Sequence, residues 1–406
     1  MQKYISNNFI NYIFPNNFNY LILWLIGVFI NILRWSEIVI TGILIFKYTN
    51  SPLQVTVLLI LRFLSLMSFG VFAGIIIDKY NKKYCLSLSL IFMALISLAF
   101  YKLIPLDNKI YVLQIYSVLS GLFWAVETTA RKALIIESIN KEHYAKNISL
   151  DTFTLHMTRF AGPLVSGYFH DYFSLSNLLL FASFTYTFTF LISTLIKYSK
   201  QYSISNDIIR YDYKSIYKII LEQKNLLLVF FITIIFNIWA YAYIALLPAV
   251  IEIEDFYDTR HISFLVSVEG LGSLISIIVV FIYDKHELYI KYYIIGTVVT
   301  LICGLLFPFS PNIHFAFVIL FIAGIGAGFF SAMQPVLIAL YSPPNYRGAM
   351  LGVLNLCIGL ATIGYLHVGL LSTYFGVKEA IYISSVEGLL IISMIFFMFK
   401  KMIFKH

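Results

Sequence analysis

Charge is what this sequence has least of. Only 12% of its 406 residues are Asp, Glu, Lys or Arg, against roughly 25% in a soluble domain. That shortage excludes a water-soluble globule. Cysteine is scarce as well. Cys85, Cys303 and Cys357 lie far apart, in or at the edge of apolar segments, which excludes a disulfide framework or a thiolate metal site. No GxxxxGK[ST] stretch is present, so nothing here cradles a nucleotide triphosphate. GIGAGF, Gly324 to Phe329, sits inside an apolar run and follows no strand, so it is not a dinucleotide fingerprint. The first continuous apolar run, Tyr20 to Phe46, is too long for a signal-peptide core and lacks a small-residue cleavage site, so it is expected to stay as a membrane helix.

What the chain does have is long apolar runs. It is 60% hydrophobic and 17% aromatic, with a mean hydropathy of +0.86. A membrane span needs about 20 mainly apolar residues. Twelve such runs are expected: 20–46, 53–77, 84–101, 110–136, 147–169, 177–196, 225–249, 262–283, 289–308, 314–341, 349–373 and 380–399. Most connections are short. The exception, Lys197 to Lys224, is rich in Lys and Arg, and SIYKIILEQK within it has the look of a short surface helix. The predicted fold class is all-α: twelve transmembrane helices in two pseudo-symmetric six-helix bundles. The expected divisions are 1–196, a cytoplasmic linker over 197–224, and 225–406.

The net charge of +8 belongs to the loops and calls for no nucleic acid. With the N-terminus inside, 20 Lys and Arg fall in inner segments and 5 in outer loops. The positive-inside bias then predicts that both termini are cytoplasmic. The halves also echo each other. IIIDKY at Ile75 is matched by FIYDKH at Phe281, an offset of 206, and SGLFWA at Ser120 by AGFFSA at Ala327, an offset of 207. An internal six-helix duplication is a build found in secondary transporters.

Ionisable residues in mid-span cost at least ~2.5 kcal/mol on insertion scales, so each asks for a partner or a role. Arg34 and Glu37 lie three apart on one face of the first span. They read either as an internal ion pair or as a proton carrier, Glu37, tuned by a neighbouring cation. Arg62 and Arg159 fall near mid-depth of the second and fifth spans, with His156 one helical step from Arg159; the two arginines read first as architectural and second as substrate contacts. Three arginines against one clearly buried carboxylate predict a cavity suited to anionic cargo, since Arg forks onto carboxylates. Glu127 precedes Arg131 by four residues, the spacing of a local ion pair. Glu269 in the eighth span is a second proton-site candidate. Glu387 in the twelfth has no assigned role. In the seventh span Asn237, Trp239, Tyr241 and Tyr243 read either as groups that grip a flat ligand or as ordinary packing. Glu252, Glu254, Asp255 and Asp258 read as a solvated outer loop. No catalytic constellation and no metal site are expected.

GIIIDKYNKK, Gly74 to Lys83, interrupts the apolar runs. It resembles the loop G-x-x-x-D-[RK]-x-G-[RK]-[RK] of the major facilitator superfamily. Gly74, Asp78, Lys79, Lys82 and Lys83 are in register, and Asn81 replaces the second glycine, as the best non-glycine residue for a left-handed backbone. The resemblance implies that Asp78 gates rather than touches substrate. The second copy keeps Asp284 and Lys285 but has Val280 at the glycine. ETTARKALIIESINKEHYAKNISL, with Arg131 and Glu137, is similar to the branch of enterobactin exporters and macrolide-efflux proteins, as is YTNSPLQVTVLLILRF from Tyr48. RFAGPLVSGY, with Gly162, Pro163 and Gly167, resembles an antiporter motif, though Ser166 replaces one glycine. What the likeness implies is a monomeric, proton-driven exporter in a bacterial inner membrane. Two bundles would rock about a central cavity, with the proton gradient in place of any cofactor. The cargo would be a siderophore or other carboxylate-bearing molecule. Hydrophobic drugs and proton-coupled import of an organic anion are the alternatives.

Overall fold

A chain in hydrocarbon must satisfy every backbone N–H and C=O internally, and a helix does this within one segment. Every regular element among the described residues is helical in the computed structural model. It describes residues 17–103, 109–138, 144–172, 175–197, 213–252, 259–282, 286–343 and 346–403. The first half contains α1 (Phe18–Thr49), α2 (Pro52–Lys79), α3 (Lys82–Leu103), α4 (Lys109–Glu137), α5 (Tyr144–Tyr172) and α6 (Leu175–Thr194). A short α7 (Tyr213–Glu222) follows. Next come α8 (Lys224–Ile235), α9 (Thr259–Ile282), α10 (Tyr289–Leu306), α11 (Ile313–Tyr341), α12 (Arg347–Gly359), α13 (Ala361–Phe375) and α14 (Val377–Ile403).

Eleven helical segments among the described residues are long and apolar enough to cross a membrane. α5, at 29 residues, completes the set of twelve. It carries Asp151, His156 and Arg159, which lower its mean hydropathy. The protein is therefore a multi-pass membrane protein with an all-α, twelve-span fold.

Two expected spans are not uniform helices. The seventh continues from α8 into a π-helical turn, Phe236–Ala240, and then a 3-10 stretch, Ala242–Glu252. The eleventh is interrupted between α12 and α13 at Leu360. The linker helix expected from SIYKIILEQK is present as α7. Its Ile216, Ile219 and Ile220 pack on the core of the second half, while Tyr217 and Leu221 are exposed.

The chain forms two compact units, 1–40 with 61–205 and 41–60 with 206–406. The first is centred on Tyr20, Leu23, Ile26, Ile30 and Leu33 of α1 with Leu86 and Leu90 of α3 and Ala182 of α6. The second is built on α8, α10 and α11, where Phe236 stacks on Phe330 with ring centroids 3.6 Å apart. Each unit carries a glycine seam between the second and fourth spans of its half of the chain. A Cβ at Gly121 of α4 would lie 2.1 Å from the Arg62 carbonyl oxygen of α2. A Cβ at Gly328 of α11 would lie 2.5 Å from the Ser273 carbonyl oxygen of α9. Only glycine lets these backbones approach so closely. Gly121 and Gly328 are 207 residues apart, the offset of the repeat read from sequence.

Candidate functional site

Six of the buried or half-buried charges of the first unit form two clusters. The larger is a chain of contacts through α1, α4 and α5. Arg34 donates from Nη1 to Asn31 Oδ1 (2.8 Å) and from Nη2 to Glu127 Oε2 (2.8 Å), and its guanidinium lies 4.3 Å from the Trp124 ring centroid. The other oxygen of Glu127 accepts from Arg131 Nε at 3.1 Å. Arg131 in turn donates from Nη1 to Asp151 Oδ1 at 2.7 Å. Two guanidiniums and two carboxylates alternate, so the row is neutral and each charge has a hydrogen-bonded partner. Those are the conditions under which burial of ions is tolerated. Trp24 Nε1 donates to Thr154 Oγ1 at 2.8 Å and ties α1 to α5 beside the row.

The smaller cluster is less complete. Glu37 of α1 is 1% exposed and Arg62 of α2 is 2% exposed. Tyr116 of α4 donates to Glu37 Oε1 at 2.8 Å. Arg62 approaches Glu37 Oε2 only to 3.9 Å, beyond hydrogen-bond reach. Neither terminal nitrogen of Arg62 makes a hydrogen bond. An arginine so buried and so poorly bonded is costly. Arg34, Glu37, Arg62, Glu127 and Tyr186 line one pocket, together with Trp124 and Met93, with room for roughly one water molecule.

The arrangement revises two expectations and extends a third. Arg34 and Glu37 share a face but do not pair with each other as their main contacts: Arg34 turns to Glu127, and Glu37 to Tyr116 and Arg62. Helix rotation decided this, not spacing. The expected Glu127–Arg131 pair is present, yet it belongs to the larger row. The balance of three arginines to one carboxylate becomes four to three once Arg131, Glu127 and Asp151 are counted among the buried or half-buried charges. Sequence reasoning missed Asp151 and Tyr116. Asp151 was visible as an acid in the first turns of the fifth span. Tyr116 carried no signal among 30 tyrosines.

Arg159 lies with its guanidinium 5.5 Å from the Trp35 ring centroid, and His156 is buried on the same helix. Gly162 and Pro163 are helical within α5, as is Gly167. A Cβ at Gly162 would come within 2.7 Å of the Ile32 carbonyl oxygen, so this motif seats α5 against α1. In the loop motif, Lys82 forms an ion pair with Glu137, and Lys83 Nζ donates to the Thr194 carbonyl at 2.8 Å. Asn81 does not take a left-handed backbone; the described non-glycine residue that does is Asn50. Asn81 instead caps α3, its Oδ1 accepting from the Lys83 amide at 3.0 Å. Gly74, Asp78 and Lys79 are part of α2. Asp284, Lys285 and the acids at 254, 255 and 258 lie outside the described residues.

In the second unit Glu269 is fully buried on α9. Asn237 does not project freely, since its Nδ2 donates to the Thr233 carbonyl at 2.8 Å. Tyr241 stacks on Phe236, ring centroids 5.5 Å apart. Trp239 donates to Glu387 Oε2 at 3.0 Å, and the same oxygen lies 2.6 Å from His367 Nε2. Glu387, without a role in the sequence reading, thus has two partners. No group of three or more His, Cys, Asp or Glu suited to a metal occurs among the described residues.

A family model described as Major Facilitator Superfamily matches residues 23–363 and, in a second alignment, 226–403. The chain is 22% identical over 361 residues to the staphyloferrin A transporter of Staphylococcus aureus (strain NCTC 8325 / PS 47), covering 84% of this chain and 86% of that protein. Among solved structures it resembles a POT family transporter in complex with 5-aminolevulinic acid (TM-score 0.72, 12% identity, 97% of this chain and 98% of that one). It also resembles a bacterial homolog of the human lysosomal transporter Spinster in an inward-facing, unoccupied conformation (TM-score 0.71, 13% identity, 93% and 94%). These structural likenesses establish the fold.

Proposed function

Because the chain belongs to the major facilitator superfamily, we propose that it is a proton-coupled secondary transporter of a small carboxylate-bearing molecule of the siderophore class. It would work by alternating access in a bacterial inner membrane, with both termini cytoplasmic. Its energy would come from the proton gradient and not from a cofactor or an enzymatic step. The observation that carries this reading is Arg62, buried, 3.9 Å from Glu37, with neither terminal nitrogen hydrogen-bonded. Such a guanidinium is shared property. It can rest against Glu37 or fork onto a carboxylate of the cargo. The similarity to a staphyloferrin A transporter supports the cargo class.

The sign of the coupling follows from that sharing. A proton on Glu37 neutralises the carboxylate that holds Arg62 and leaves the guanidinium to an anion. By reciprocity, an anion on Arg62 favours the proton on Glu37. Proton and anion then bind together, which supports cotransport. Export by antiport is the second reading, and the Gly162, Pro163 and Gly167 motif on α5 favours it. It requires the opposite sign, with cargo and proton competing. A single measurement separates them: binding of staphyloferrin A to the purified protein at about pH 6 and about pH 8. The shared arginine predicts tighter binding at the lower pH, roughly tenfold weaker binding in Arg62→Gln, and binding in Glu37→Gln that no longer varies with pH. Tighter binding at the higher pH would favour antiport. No binding at either pH would remove staphyloferrin A as the cargo.

A further inference from the structure

The seventh span breaks where nothing in FNIWAY, Phe236 to Tyr241, is glycine or proline. A π-helical turn inside a span often marks a functional position. Two neighbouring helices hold it. α13 presses Gly364 onto the turn, where a Cβ would lie 2.6 Å from the Ile238 carbonyl oxygen. α14 presses Gly388 onto it, where a Cβ would lie 2.8 Å from Trp239 Cβ. The ionisable pair sits beside these two contacts. His367 is three residues after Gly364, and Glu387 directly precedes Gly388. One oxygen of Glu387 receives both the Trp239 indole N–H at 3.0 Å and His367 Nε2 at 2.6 Å. The side chains of His367 and Glu387 are 31% and 38% exposed, so the pair is open to its surroundings while Trp239 is half-buried.

We propose that His367 and Glu387 form a proton-binding site of the second unit, and that its occupancy sets the grip of Glu387 on Trp239 at the break of the seventh span. With the carboxylate ionised, its oxygen accepts from both Trp239 and His367. A proton taken up by the pair turns the imidazole into an imidazolium, which draws that shared oxygen to itself, and the bond from the indole weakens. The π-turn then loses a tie to α14. The helices packed around the pair carry few other charges on described side chains: Lys224 opens α8, Lys291 stands in the first turn of α10, Lys378 and Glu379 start α14, and α2, whose Thr56 meets Gly369 of α13, carries Arg62 further along. Glu379 is eight residues from Glu387, roughly 12 Å along the helix. The remaining ionisable groups there are tyrosines and cysteines, neutral near pH 7. The pair therefore answers to protons and to its own partner. This inference does not rest on the cargo, on the direction of transport or on Glu37.

Trp239 is one of four tryptophans and reports on its own hydrogen bond. The test is the intrinsic emission of the purified full-length protein between about pH 5 and about pH 9, a window that brackets the ordinary histidine value. The expected result is a sigmoidal component present in the wild type and missing in Trp239→Phe. Glu387→Gln abolishes it, and His367→Gln shifts its midpoint. Glu37→Gln retains it unchanged. Overlapping wild-type and Trp239→Phe pH curves would overturn the proposal. So would an unshifted component in Glu387→Gln, or loss of the component in Glu37→Gln. Should Glu387→Gln fail to fold, the His367→Gln midpoint decides, an unchanged value counting against the site.

Discussion

Arg62 in the first unit and Glu269 in the second stand 207 residues apart, each with its carbonyl against a seam glycine, although those two glycines, Gly121 and Gly324, are 203 apart. In the first, the Arg62 carbonyl meets Gly121 of the fourth helix. In the second, the Glu269 carbonyl meets Gly324, with Ser273 meeting Gly328 one turn further on. The glycine-to-carbonyl approach recurs, one helical turn out of register, and the side-chain charge is reversed. Beyond the seam the units diverge further. The first buries a hydrogen-bonded row of ions and keeps α1 to α6 as unbroken helices. The second buries stacked rings, Tyr241, Phe236, Phe330 and Tyr293, and breaks two of its spans. Helix-to-helix approach is the part of a duplicated scaffold that sterics cannot release. Charge and helix type are free to differ, and the chemistry resides in them.

Breaking the ionic row should give the largest effect. Glu127 is the one member bonded to two arginines. Glu127→Ala leaves Arg34 and Arg131 both short of a buried partner, and removal of one side of a buried pair costs about 3–5 kcal/mol. The expected outcome is a large fall in melting temperature in detergent, with little monodisperse protein recovered. A drop no larger than that of a surface substitution would mean that the row is solvated in the membrane. The seam should come next, and equally in both units. Gly121→Val and Gly328→Val each force a side chain against a backbone carbonyl, for which overpacking costs about 1–3 kcal/mol. Similar losses in the two variants would sustain the repeat. A loss confined to one would show that the seams are not equivalent.

The spans were legible in the sequence because hydrocarbon demands length and apolarity, and both are local properties. The Glu127–Arg131 contact was legible for the same reason, since four residues of helix bring two side chains together. The partners of Arg34 and Glu387 were not. Arg34 reaches Glu127 across 93 positions and Trp239 reaches Glu387 across 148, and those meetings depend on how each helix is rotated against its neighbours. The break at Phe236 was hidden too, because no glycine or proline marks it. What lets α13 and α14 press on the turn lies in those two helices instead, at Gly364 and Gly388, where no Cβ stands in the way.

The smallest effect sharpens the comparison by separating packing glycines from open ones. Gly70 on α2 of the first unit and Gly352 on α12 of the second have no heavy atom within 4 Å of a built Cβ. A methyl group at either enters free space, and alanine is the better helix former by about 1 kcal/mol. Gly70→Ala and Gly352→Ala should therefore leave melting unchanged or raise it slightly, in contrast to Gly121 and Gly328. Transport in liposomes, with staphyloferrin A tried as the proposed cargo, then gives a second reading of the same variants. If stability holds and the rate holds, the free space around the glycine is not needed for the transport cycle. If stability holds and the rate falls, that space is used when the helices move or when cargo passes, and a glycine without a contact has a conformational role that the packed glycines do not share.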